Sequence, residues 1–84
     1  MQSFDTQAVG RKIKEERIAK GIKAKDLAEK LFCDPSQISR LESGETAGNI
    51  PKLVLVANAL DIDVRKLIEA GIEDIEDKEY KEDK

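Results

Sequence analysis

The stretch DLAEKLFCDPSQISRLESGE, residues 26–45, reads as two short helices joined by a tight turn. Leu27, Ala28 and Leu31 recur at helical spacing and mark the inner face of the first helix, and Ile38 and Leu41 do the same for the second. Small Ala28 lets the two backbones cross closely. Asp34 is placed to cap the second helix, and Pro35 takes its first position, where a missing N–H costs nothing. Ser36, Gln37, Arg40 and Ser43 then fall on one outward stripe of hydrogen-bonding side chains. Such a stripe, on a helix that fits a groove, can read base edges.

The flanking sequence repeats the helical pattern. Asp5 or Thr6 caps a first helix over about residues 6–20, which carries Val9, Ile13 and Ile18 and stops at Gly21. The second helix starts near Lys23 or Ala24 and ends about Leu31; the third runs from Pro35 to Ser43 and is closed by Gly44. Asn49 caps a fourth helix from Ile50 to about Leu60, and Asp63 a fifth from Val64 to about Ala70. The expectation is an all-α bundle of five helices without a strand, filling residues 1–72. Residues 73–84, with seven acidic and three basic side chains beside Tyr80, read as a disordered acidic tail.

At 84 residues the chain is one small domain whose core removes only roughly 60% of the unfolded surface from water, so pairing of subunits is energetically reasonable. It has no histidine and one cysteine, which leaves no ligand cluster for a metal, no imidazole for catalysis and no disulfide. Cys33 reads as a small buried apolar residue. Glu15 with Glu16, and Asp61 with Asp63, read as solvated charges and helix caps, so neither an enzyme nor a cofactor is expected. The absence of a long apolar run, and an N-terminus MQSFDTQ without signal-peptide features, point to the cytoplasm.

The net charge of −3 conceals an uneven distribution. From Arg11 to Lys30 there are eight basic and four acidic side chains; from Leu31 to Lys84 there are seven and thirteen. The direction of the field, more than the total charge, steers a polyanion toward a surface.

Ile13, Arg17, Gly21, Leu27, Ala28, Ile38, Leu41, Glu42 and Gly44, followed by Ala57, Ala59, Leu60, Ile62 and Leu67, carry a resemblance to the Cro and lambdoid phage repressor type of helix-turn-helix domain. The resemblance implies a lambda-repressor-like bundle of prokaryotic or phage origin that binds operator DNA. It implies that Arg17 and Glu42 form a structural ion pair, and that Pro35, Ser36, Gln37 and Arg40 face the bases. A guanidinium that can donate twice to guanine makes Arg40 the foremost of these. Lys23, Lys25, Ser39 and Ser43 are the expected phosphate contacts.

Three positions depart from the family pattern. Ala24 replaces a glutamine that anchors a phosphate, Phe32 stands where glycine is usual, and the loop Glu45 to Asn49 carries no cation. Phe32 must then accept a positive φ or alter the turn, unless its ring covers the edge of the core. In the fourth helix, Leu53 to Ala57 is apolar all round, so part of it must face outward. Leu55, with Ile68, Ile72 and Ile75, is the expected homodimer patch. The resulting expectation is a sequence-specific transcriptional regulator, acting as a repressor on double-stranded DNA. The alternative is a protein-interaction module on the same fold with weakened DNA binding.

Overall fold

The computed structural model describes residues 4–72, and three of its helices begin where a short polar side chain takes up a free N–H group. α1 spans Thr6–Ala19, α2 Ala24–Lys30, α3 Pro35–Glu42 and α4 Ile50–Leu60. Residues 64–72 form α5. Asp5, in extended conformation, accepts the Ala8 N–H on its carboxylate at 3.1 Å. Asn49 does the same for Lys52 at 3.0 Å, and Asp63 for Arg65 at 2.9 Å. Asp34 departs from expectation. It occupies the N-cap of α3 in extended conformation, yet its carboxylate accepts none of the helix N–H groups.

Four helices stop by one device. The N–H of the turn residue bonds back three positions while the next N–H bonds back five, which uses two carbonyls the helix leaves free. The pairs are Gly21 to Ile18 with Ile22 to Arg17, Phe32 to Glu29 with Cys33 to Ala28, Gly44 to Leu41 with Glu45 to Arg40, and Asp61 to Asn58 with Ile62 to Ala57. This geometry needs a left-handed turn residue, and φ is 72° at Gly21, 56° at Phe32, 95° at Gly44 and 58° at Asp61. Glycine pays nothing for it and aspartate little; phenylalanine pays most.

The core is formed by Val9 and Ile13 of α1, Leu27 and Ala28 of α2, Ile38 and Leu41 of α3, and Leu53, Val56, Ala57 and Leu60 of α4, closed by Ala47 and Leu67. Two placements decide what the sequence left open, at Ile18 and Phe32, and one, at Cys33, corrects the sequence reading. Ile18 is exposed, because at about 100° per residue it lies on the side of α1 opposite Val9. Phe32 is 96% exposed, so its ring covers no part of the core. Cys33 is half-buried against the core's edge instead of lying within it.

Candidate nucleic-acid interface

α3 turns Ile38 and Leu41 fully inward, which leaves Pro35, Ser36, Ser39, Arg40 and Ser43 exposed around its outer side. Gln37 is half-buried and helps line a shallow groove with Leu31, Cys33, Leu41, Lys52 and Leu55. Among the described residues no acidic side chain pairs with Arg40, so its guanidinium is available to an outside acceptor. Ser43 is partly committed. Its hydroxyl donates to the Arg40 carbonyl at 2.9 Å and accepts the Glu45 N–H at 3.4 Å, closing the helix.

Lys23 sits at the N-cap of α2 in extended conformation and Lys25 on its first turn, both exposed. Neither takes part in an ion pair among the described residues, nor do exposed Arg11, Lys14 and Lys20 on α1. Lys12 does, at 3.6 Å from Glu16, whose carboxylate also lies 3.8 Å from Lys66 of α5.

The outer face of α3 is useful only if the helix is held firmly, and its C-terminal end is tied to α1 in three ways. The Arg17 Nε and Nη2 donate to the two oxygens of Glu42 at 2.6 and 3.2 Å, while Nη1 donates to the Ile22 carbonyl at 2.9 Å. Both side chains are about nine-tenths buried, at 11% and 10% exposure. The Glu42 hydrogen bond holds the Arg17 pKa above its ordinary value against the opposing effect of burial. The second tie is backbone on backbone. A Cβ on Gly10 would lie 2.4 Å from the Glu42 carbonyl oxygen and 2.8 Å from that of Leu41. The third is like it, with a Cβ on Gly44 falling 2.8 Å from Gln7 Cα.

Gly10 was not singled out by the sequence reading. Its signal was a glycine within a helix, which costs up to about 1 kcal/mol relative to alanine and therefore calls for a reason.

Of the expected dimer residues, Leu55 is 59% and Ile72 41% exposed, Ile68 is half-buried, and Ile75 lies outside the described residues, as do 73–84 as a whole. Ile50 and Val54 add to the exposed apolar surface of α4. Among the described residues, no helix is long and apolar enough to cross a membrane.

Residues 13–67 match the helix-turn-helix family model HTH_3, of the Cro/C1 type. Among solved structures, the restriction-modification controller protein C.AhdI from Aeromonas hydrophila superposes with a TM-score of 0.69 at 32% identity, over 75% of this chain and 91% of that one. The wild-type controller protein C.Esp1396I gives 0.70 at 31% identity, over 88% and 95%. The clp gene regulator ClgR from C. glutamicum gives 0.75 at 25% identity, over 87% and 95%. No curated protein matches the chain significantly.

Proposed function

The chain belongs to the Cro/C1-type helix-turn-helix family of DNA-binding transcription regulators, and from that premise we propose that it reads operator DNA as a homodimer and represses by occluding a promoter. One observation carries the reading: α3 presents an exposed face of hydroxyl and guanidinium groups, with the half-buried amide of Gln37 beside it, while its C-terminal end is fixed to α1. Arg40 and Gln37 supply bidentate donors and acceptors for guanine and adenine, and Pro35 and Ser36 lie at the helix end that enters the groove first. Lys23, Lys25, Ser39 and Ser43 hold phosphates and fix the register without reading sequence.

Two copies paired through the α4 and α5 surface around Leu55, Ile68 and Ile72 would set their reading helices about 34 Å apart, one turn of duplex. Likeness to the controllers and to ClgR, each of which this chain covers almost end to end, supports the reading of a DNA-binding regulator.

The test is selection from a random duplex library at physiological salt, with Arg40→Ala in parallel. The natural protein should enrich a two-fold symmetric site, and the variant should lose preference at one base pair in each half, about tenfold or more. A folded protein that enriches nothing would overturn the reading in favour of an interaction module.

A further inference from the structure

We propose that Gly10 is a positioning residue for base reading: the missing Cβ sets how closely α1 approaches the last turn of α3, and so where Ser36, Gln37 and Arg40 point. The inference rests on α3 being the reading helix. Gly10 faces the carbonyl oxygens of Leu41 and Glu42, and an added Cβ would stand 2.8 and 2.4 Å from them. Ordinary contact begins near 3.4 Å, so even alanine requires a displacement of about 1 Å. The obstructing atoms are backbone and cannot swing aside as a flexible side chain can. A whole helix has to move.

Nearby contacts resist such a move at two further points. Gln7, one turn before Gly10 on α1, lies under Gly44, where a Cβ would meet its Cα at 2.8 Å and its N at 3.0 Å. Arg17, two turns beyond Gly10, grips the Glu42 side chain. α3 is thus fastened at its C-terminal end, and its outward side chains extend from that joint over eight residues, about 12 Å. Base hydrogen bonds tolerate only a few tenths of an ångström and weaken steeply with angle, whereas phosphate attraction is long-ranged. A displaced α3 therefore keeps its grip on DNA and loses the ability to tell one sequence from another.

The experiment measures affinity for the selected operator and for unrelated duplex at fixed salt and a temperature where each protein is folded. It compares the natural chain, Gly10→Ala, and Val56→Ala as a core truncation on α4. Gly10→Ala should bind the operator about tenfold or more weakly with its affinity for unrelated duplex within about twofold, as expected for lost base contacts. Val56→Ala should keep the natural ratio. Equal ratios in all three would make Gly10 merely structural and overturn the inference, with the DNA reading intact. A natural chain that makes no distinction would overturn the DNA reading, and this inference with it. Should Gly10→Ala not fold, the same ratio is read on Arg17→Lys, which keeps the charge and loosens the joint's side-chain tie; an unchanged ratio there also overturns it.

Discussion

Arg17 and Glu42, 25 residues apart in sequence, meet in a two-pronged ion pair that joins α1 to the last turn of α3. Removing the carboxylate leaves a guanidinium nine-tenths buried with, among the described residues, only the Ile22 carbonyl to bond. Glu42→Ala should therefore lose about 3–5 kcal/mol of stability, a large share of what a domain this small possesses. Urea unfolding measures it, and a midpoint equal to that of the natural protein would contradict the structural role.

Phe32 offers the opposite outcome. It holds φ 56° with its ring 96% exposed, so its side chain gains little packing in return for backbone strain. Phe32→Asn should stabilise by about 1 kcal/mol, since asparagine visits the left-handed region more readily. For a domain of this size, that raises the melting temperature by about 4–8 °C. An unchanged or lower melting temperature would mean that the ring does something the isolated domain does not reveal.

Acid sensitivity has one well-defined contributor at the start of α5. Asp63 accepts side-chain and backbone hydrogen bonds from Arg65, which lower its pKa from 3.8 to about 2. A carboxylate whose folded pKa is depressed adds stability above its unfolded value. That contribution is complete above about pH 4 and disappears as pH falls toward 2. The pair is exposed and so weakened by salt. Asp63→Asn should flatten the stability profile between pH 4 and 2 at low salt and leave its shape above pH 5 unchanged; equal slopes for both proteins in the acid range would refute the assignment.

If the exposed apolar side chains of α4 form the proposed dimer contact, Leu55→Asp should place a charge at its centre and separate the subunits. Sedimentation at tens of micromolar should give twice the monomer mass for the natural protein and the monomer mass for the variant. A natural protein that sediments as a monomer would remove this surface from the account.

What was legible in the sequence was mostly local chemistry. Asp5, Gly21, Pro35, Gly44, Asn49 and Asp63 act within a few residues of themselves, so their spacing alone delimits the helices. Ile18 was grouped with Val9 and Ile13 by hydrophobicity alone, without its angle around the helix. Asp34 has the right residue type and backbone for a cap, yet residue type does not dictate the rotamer that would bring its carboxylate onto an N–H. What Gly10 packs against was hidden for a different reason. Its neighbours are carbonyls more than 30 positions away, and carbonyls carry no residue identity for a pattern to detect.

The contact of Gly10 and Gly44 with opposing main chain also divides the labour of change. The main-chain part of this joint has no side chains to repack, so drift among the buried leucines and valines reaches α3 through Ile38 and Leu41 and only weakly through the glycines. The letters on the outer face can then be rewritten while the frame that presents them stays put. Exchanging residues 36, 37 and 40 should thus retarget the molecule as a cassette, and a library confined to those three positions is a compact way to obtain new specificities from one scaffold.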